Sequence, residues 1–376
     1  MINKEIEPID EFTEEQQEVL RSIRSSRIIF PILIGIAVVV YLFLKEFNPE
    51  DFYKIKWTSH AWLWIGISFS LLILRHIAYA TRLRILSEGV FSWKKCIELI
   101  FIWEFSSAVT PTSVGGSAVA FFVLSQEKLP AAKTATIVLY TVVLDTIFFV
   151  GLLPILLLLI GPTMIRPELT TWTKIDIWGY YFLIAYVLMA IYGSVFYYGL
   201  FVNPIQLKRF LVGMTKIRLL KKFRQKAIDL GNEMVIASLE MKQKHRSFHL
   251  GAFAATATAW SCRFLLLNCL IIALGNMAST DLFSQFSLYG RLQTMFIVIA
   301  FSPTPGGAGF VEGLFFPFVS DYVSNATSAT IIATIWRLMT YYSYLLIGAI
   351  IIPNWIRQVI NNRKKKVAVQ SDNENI

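Results

Sequence analysis

The sequence predicts an all-α polytopic membrane protein, built as an inverted repeat with six full spans and two oppositely oriented re-entrant hairpins. Three observations lead to this fold. Of the 376 residues, 55% are hydrophobic and only 16% are charged, which is more apolar than soluble globular domains are. Long uncharged stretches recur along the chain, and two of them are interrupted by proline and glycine. The net charge of +10 is concentrated in a few short segments. This composition argues against an ordinary soluble enzyme.

The chain begins with a polar N-terminal segment, residues 1–27, which carries seven acidic and four basic residues. A signal peptide needs a short basic start and an apolar core, so we expect no cleaved targeting segment here. Six apolar stretches follow that approach or exceed the roughly 20 residues a helix needs to cross a hydrocarbon core. They run approximately over Ile28–Leu44, Ala61–Ala80, Thr134–Ile160, Trp178–Phe201, Phe248–Leu274 and Ser328–Ile352.

Two further apolar regions, Ile97–Leu124 and Leu288–Val323, are interrupted in the middle by proline and glycine. They do not read as simple spans, because these residues break a helix. We place one transmembrane domain over residues 28–356, with a basic loop at 203–247 and a basic tail at 357–376.

Charge predicts the topology, because short cytoplasmic loops collect lysine and arginine. The segment Asn203–Arg246 has eleven basic and three acidic residues, a net charge of +8. Arg82–Lys95 and the tail from Arg357 each carry +3. These segments are expected in the cytoplasm. The outer loops are expected to be those with a charge of zero or −1, namely Lys45–His60, Gly161–Ile177 and Gly275–Gly290.

The two interrupted regions fit this charge pattern only if neither crosses the bilayer. If each crossed once, a cytoplasmic N-terminus would put the +8 loop outside. If each enters and returns on one side, the first from the cytoplasm and the second from outside, every loop falls where its charge predicts. Both termini are then cytoplasmic.

The interruptions share a short pattern, PTSVGG from Pro111 and PTPGG from Pro303. Interrupted helices at matching positions of two halves are typical of inverted-repeat transporters, with the substrate at the repeat interface. Irregular backbone at membrane depth lines a wet cavity or is buried in protein. Helix starts after such breaks direct free N–H groups towards an anion. The alternative is that these residues only permit close helix packing and a kink.

Few ionisable residues remain inside the predicted membrane region, and unpaired charges there are costly. One hypothesis is that Arg263, Arg337 and Arg291 meet Asp145, Glu104 and Glu312 around a cavity. Asp145 lies in mid-span, which makes it the strongest single candidate. The alternative is a set of structural ion pairs without a ligand. The other embedded charges are Arg75 and Glu98, expected near the inner surface where long side chains reach water, and Asp321.

Catalytic and cofactor motifs are missing from the sequence. The four histidines form no HExxH motif, and neither glycine pair fits a nucleotide-binding loop. The three cysteines have no metal-ligand or disulfide spacing. We therefore expect no catalytic residue, metal or other cofactor. The basic loop is too short for a catalytic domain with its own core. We expect it to lie against anionic headgroups, and we expect no nucleic-acid partner.

The segment from Thr110 to Asp145, the preceding Arg82 and Arg84, and SPTPGGAGFVEG from Ser302 together carry a family resemblance. They resemble the transmembrane, flippase-like region of lysylphosphatidylglycerol synthases over roughly Ile28–Ile360. In full-length members an aminoacyltransferase domain follows, whereas this sequence resembles the stand-alone branch. The family name phosphatidylglycerol lysyltransferase would need that soluble domain. The resemblance points to these positions as substrate-binding residues: Pro111, Gly115, Gly116, Asp145, Pro303, Pro305, Gly306, Gly307, Gly309 and Glu312.

With Arg263 and Arg337 added from the charge argument, these residues form the predicted substrate site. The expected function is translocation or binding of an anionic or aminoacylated phospholipid, or of a polyprenyl-linked lipid, in the cytoplasmic membrane. Two alternatives are a membrane enzyme of lysylphosphatidylglycerol or glycolipid synthesis and a subunit of such a synthase. Membrane lipids are the expected partners, and a second copy of the chain or a separate synthase is left open.

Overall fold

The protein is described by a computed structural model covering residues 49–55, 57–109, 112–127, 129–217, 221–275, 277–300, 304, 307 and 309–374. The described residues form an all-α architecture, as predicted, and contain no strand. The α-helices are α1 (Pro49–Lys54), α2 (Ser59–Leu86), α3 (Trp93–Val109), α4 (Thr112–Ser125), α5 (Ala131–Ile160), α6 (Ile177–Tyr197), α7 (Pro204–Met214), α8 (Arg224–Lys242), α9 (Arg246–Leu274), α10 (Leu282–Ala300), α11 (Phe310–Val319), α12 (Ala326–Arg337) and α13 (Ser343–Glu374).

Five segments are long and apolar enough to cross a membrane, and they coincide with five of the six predicted spans. They are Ser59–Leu86, Lys133–Ile160, Ile177–Val202, Arg246–Leu274 and Ala326–Val359. The last joins α12 to α13 through a π-helical turn at Leu338–Tyr342. The sixth predicted span, Ile28–Leu44, lies outside the described residues, as does the N-terminal segment 1–27.

Polar side chains fix where several of these helices start. The Thr58 hydroxyl accepts a hydrogen bond from the backbone N–H of Ala61 at the start of α2. Asp176 and Asn325 cap α6 and α12 in the same way. Such caps satisfy N–H groups that have no partner within the helix. The ends of these spans are therefore set by local sequence.

The first interrupted region folds as two helices, α3 and α4, that pack on each other; we call this pair the first hairpin. The Lys95 ammonium, near the start of α3, lies 2.8 Å from the carboxylate of Glu127, just after α4. The Trp355 indole N–H donates to the same carboxylate at 2.8 Å. The two ends of the interrupted region therefore lie side by side, and we call them the mouth of the hairpin.

The second interrupted region, α10 with α11, is folded in the same manner and is called the second hairpin. The Tyr322 hydroxyl donates to the carbonyl of Ser284 at 3.0 Å, which joins its two ends. The Arg291 guanidinium, 2% exposed, is paired with Asp321 at this mouth. A basic residue of the first helix and an acidic residue just after the second helix therefore meet in both hairpins.

The two mouths lie at opposite ends of the bundle. Lys244, just before α9, pairs with Glu88, just after α2, so the start of α9 lies beside the end of α2. The first mouth follows the end of α2 in the chain, and the second follows the end of α9. Helices α2 and α9 pack extensively against each other. The two mouths are therefore separated by the length of the paired helices α2 and α9.

Candidate functional site

A cavity of about 310 Å³ is lined by described residues of both hairpins. Ser107 and Ala108, at the end of α3, line it from the first hairpin. Thr304 and Gly307, just before α11, line it from the second. Helices α2, α5, α9, α10, α12 and α13 and the π-helical turn between the last two supply the remaining walls. Both halves of the molecule therefore contribute to one central site.

Asp145 lies on the cavity wall and is paired with Arg82 of α2. The Arg82 guanidinium donates to Asp145 Oδ1 at 2.6 Å, and the Trp260 indole N–H donates to the same oxygen at 2.8 Å. Arg82 is 7% exposed, whereas the Asp145 side chain is 29% exposed. This pair ties α2, α5 and α9 together and still presents a carboxylate to the cavity.

A second buried ion pair, between Arg75 of α2 and Glu104 of α3, lies beside the first. Glu104 lines the cavity, and Arg75 lies behind it at 1% exposure. The guanidinium is stacked against the rings of Tyr79 and Tyr344, at 5.2 and 5.3 Å. Its other two nitrogens, Nε and Nη1, are buried without a hydrogen-bond partner in the described structure. Arg75 is therefore a deep positive charge that one carboxylate compensates.

Arg263 of α9 also lines the cavity but has a different environment. Its guanidinium stacks on Trp260 at 5.3 Å and on Phe296 at 4.9 Å. It forms no ion pair or hydrogen bond with another described residue. The Glu104 carboxylate acts on it electrostatically without forming an ion pair, so the charge of Arg263 is compensated only in part. Arg263 is thus a preorganised cation that can accept an anion.

The fourth arginine of the site, Arg337, lies at the end of α12. It is 5% exposed and stacks on Tyr341 at 4.6 Å. Of the charged side chains that the structure describes around the cavity, three are arginines, Arg82, Arg263 and Arg337, and two are carboxylates, Glu104 and Asp145. The described lining is therefore polar on one side, with an excess of positive charge.

The part of the lining next to Arg263 is apolar. Phe264 and Leu267 of α9 face Leu292, Met295 and Phe296 of α10 there. Trp103 of α3 and Trp336 of α12 are also part of the lining. The cavity therefore combines a cationic region with an aromatic and aliphatic one, which suits an amphiphilic anion.

The structure brings several predicted site residues together. Asp145, Arg263, Arg337 and Gly307 line the cavity, as does Glu104. Gly307 and Gly309 have φ values of +69° and +84°, which residues with side chains rarely adopt. Gly115 and Gly116 lie in the first turns of α4, and Glu312 lies in the first turn of α11. The described residues do not include Pro111, Pro303, Pro305 or Gly306, nor the side chain of Glu312.

Two parts of the sequence hypothesis about charge differ from the structure. Arg291, grouped with the cavity residues, lies instead at the mouth of the second hairpin, where it also donates to the carbonyl of Thr163 at 3.2 Å. Arg75 does not extend to a membrane surface, because it is buried and paired with Glu104. Hydropathy and charge give the approximate depth of a residue but not its direction around the helix axis.

Sequence reasoning used Arg82 for the topology of an inner loop and for the family resemblance but did not place it in the substrate site, and it left out Tyr79 and Trp260. One sequence signal could have identified Arg82 and Tyr79 as site residues. Arg75, Tyr79 and Arg82 follow one another at spacings of four and three residues, which places them on one face of α2. Tyr79 lies between the two guanidiniums, 5.2 Å from that of Arg75 and 4.9 Å from that of Arg82. Trp260 gave no comparable signal, because its partner Asp145 is 115 residues away in the chain.

The described residues contain no group of three or more histidine, cysteine, aspartate or glutamate side chains that could hold a metal ion. The cavity chemistry consists instead of guanidiniums, carboxylates and aromatic rings. Guanidiniums bind phosphate and carboxylate groups through paired N–H donors. The arrangement can therefore bind an anionic group and orient an apolar one.

Comparison with known proteins gives two matches. The family model described as the lysylphosphatidylglycerol synthase TM region matches residues 28–348. A curated protein of Archaeoglobus fulgidus, described as a UPF0104 membrane protein, is 24% identical over 332 residues, covering 85% of this chain and 94% of the relative. No solved structure matches the chain.

Proposed function

Because this chain belongs to the lysylphosphatidylglycerol synthase TM-region family, we propose that it binds an anionic lipid headgroup in the central cavity and moves the lipid across the cell membrane. The observation that carries the proposal is Arg263, a cation in the cavity wall that forms no ion pair with a described carboxylate and shares the Glu104 carboxylate with Arg75. A phosphodiester would supply the missing negative charge. The apolar wall next to Arg263 would accept the glycerol and the first part of the acyl chains.

The size of the cavity supports a headgroup ligand. Its volume of about 310 Å³ is at the low end of the range of roughly 300–1,000 Å³ for small-molecule sites. A headgroup fits such a space, whereas two acyl chains do not. The chains would remain in the bilayer while the headgroup occupies the site.

The two hairpins supply a route for movement. We propose that they approach the cavity from opposite ends of the bundle, as the interrupted helices of inverted-repeat transporters do. We propose that both hairpins are re-entrant, the first from the cytoplasm and the second from outside, and that both chain termini are cytoplasmic. Rocking of the two halves around the cavity would then expose the headgroup to each side in turn.

Cysteine labelling tests this topology, since the native cysteines Cys96, Cys262 and Cys269 are all buried. A membrane-impermeant maleimide applied to intact cells is expected to label Asp281→Cys and to leave Lys242→Cys unlabelled until the cells are opened. Both positions are exposed. The reverse pattern would refute the proposed orientation.

Translocation is tested in proteoliposomes that contain a fluorescent phosphatidylglycerol. Dithionite bleaches the label in the outer leaflet, and the rate at which the protected fraction becomes accessible measures translocation. The wild-type protein and the control Gly66→Ala, whose added methyl group has nothing within 4 Å, are expected to translocate. Arg263→Gln is expected to be at least tenfold slower. Equal rates for Arg263→Gln and the wild type, at equal reconstitution, would refute the role of Arg263.

The same assay separates the alternatives. Formation of a new lipid species, followed by mass spectrometry, would support an enzyme acting on lipids. Absence of both translocation and new lipid would support a subunit of a separate synthase. Either outcome would count against the proposed translocase.

A further inference from the structure

We propose that the described residues 203–217 and 221–245, here called the basic arm, form a second lipid-binding surface that docks on anionic headgroups at the membrane face, away from the central cavity. The arm contains α7 and α8 and connects the span Ile177–Val202 to the span that begins at Arg246. The inference is independent of the proposed translocation, because it concerns none of the cavity residues.

The position of the arm places it at the membrane surface. Helix α7 begins at Pro204, two residues after the preceding span ends. At the other end, Lys244 pairs with Glu88, and Glu240 pairs with Lys133 at the start of α5. Both ends of the arm are therefore fixed to the end of the bundle that holds the mouth of the first hairpin.

Part of the arm is packed, and part of it exposes apolar side chains. Leu207 of α7 is 5% exposed, and Met234 of α8 is 1% exposed; both lie in the core that also contains α5. On the same face of α7, three and seven residues after Leu207, Phe210 is 59% exposed and Met214 is 41% exposed. Ile217 follows at 58%. These apolar side chains extend beyond the packed part of α7 and would be unfavourable in water.

Exposed basic side chains lie along the chain before, within and after this apolar strip. Arg209, Lys216, Lys221, Lys222 and Arg224 are all exposed. None of the five forms an ion pair with another described residue. By contrast, Lys208 donates to Asn232 at 2.6 Å, and Lys244 pairs with Glu88. The unpaired Arg209 and Lys216 are therefore next to the exposed apolar residues in the chain.

This combination fits an anionic lipid surface. Short amphipathic segments with lysine and arginine beside exposed aromatic and aliphatic residues lie in the interface, with the apolar side among the acyl chains. Basic residues close to an anionic leaflet each strengthen binding by roughly fivefold. Because the arm is joined to two spans, it already lies at the membrane surface. Attraction between its basic side chains and anionic headgroups then decides whether it docks on the lipid or remains in water.

The test uses a reporter at Ile217. Ile217→Cys carries an environment-sensitive fluorophore, and the protein is placed in nanodiscs of phosphatidylcholine alone or with phosphatidylglycerol. With phosphatidylglycerol, we expect a blue-shifted emission that is quenched by lipids spin-labelled in the acyl chain. About 1 M salt should reverse the shift, because the Debye length falls to about 3 Å.

Two matched variants separate charge from shape. Replacing Lys216, Lys221 and Lys222 with glutamine should weaken the phosphatidylglycerol-dependent shift by roughly 100-fold in effective lipid affinity. Replacing the same three residues with arginine should preserve it. An equal shift in phosphatidylcholine alone, insensitive to salt, would overturn the proposal. So would a reporter that responds only when an acidic soluble protein is added, because the arm would then be a protein-docking surface.

Discussion

Two similar substitutions of cavity arginines are predicted to change the stability of the protein in opposite directions. Arg82 and Arg263 both line the cavity, but of the two only Arg82 forms an ion pair with a described carboxylate. We expect Arg82→Gln to destabilise the lipid-free protein and Arg263→Gln to stabilise it slightly. Both substitutions are expected to impair headgroup binding. This combination, a gain in stability with a loss of binding, is expected when a residue serves function at the expense of stability, as we propose for Arg263.

The magnitudes follow from the contacts. Breaking a buried ion pair costs about 3–5 kcal/mol, which we reduce to about 2–3 kcal/mol for Arg82→Gln because Asp145 is 29% exposed and keeps its bond from Trp260. Arg263→Gln loses two cation–π contacts, together worth about 1–2 kcal/mol. In the wild type, the desolvated charge of Arg263, which forms no ion pair with a described residue, costs about 2–3 kcal/mol with the same reduction as for Arg82. Arg263→Gln removes this penalty. The net expectation is a gain of about 1 kcal/mol.

Reversible unfolding in mixed micelles without added anionic lipid measures both values. A double-mutant cycle of Arg82→Gln with Asp145→Asn should give a coupling energy of about 1–3 kcal/mol. The cycle of Arg263→Gln with Asp145→Asn should give a smaller coupling energy, because these two side chains share Trp260 as a partner but form no ion pair with each other. If Arg263→Gln destabilised the lipid-free protein by more than about 1 kcal/mol, Arg263 would have a structural partner and our reasoning about its free charge would be wrong.

Three further predictions concern other parts of the molecule. Asp145→Asn should reduce translocation more than it reduces membrane insertion; equal translocation at matched expression would contradict this. Hydrogen bonds from two lysines lower the pKa of Glu88 below its ordinary value of 4.5. The stabilisation that the Glu88 carboxylate gives the folded protein is therefore complete above pH 4.5 and is lost as the pH falls through the lowered pKa. Glu88→Gln should cost up to about 1 kcal/mol at pH 7, and thermal unfolding should show the difference disappear in acid. Gly348→Ala would place a methyl carbon 2.4 Å from the ring of Phe105 and should destabilise the protein by about 1–3 kcal/mol, whereas Gly66→Ala, measured in parallel, should be neutral or slightly stabilising.

The sequence alone was sufficient for the fold class and for the position of the spans. Five predicted spans overlap the described helices, with ends that agree to within seven residues, because hydropathy and helix length are local properties. Proline and glycine marked both hairpins, since they act on the backbone at their own position. Charge counting assigned each loop to one end of the bundle. The pairings Lys244–Glu88 and Lys133–Glu240 agree with that assignment for the basic arm.

Only the tertiary structure decided which charges meet. Arg82 pairs with Asp145, 63 residues later, and Arg75 with Glu104, whereas Arg291 is taken by Asp321 at a hairpin mouth. These pairings depend on the rotation of each helix about its axis and on its depth relative to its neighbours, which single-sequence patterns leave open. The same packing left Arg263 between two aromatic rings without an ion pair to a described carboxylate. The sequence thus determined that arginines lie in the membrane region, and the packing of the helices determined which one is free to bind an anion.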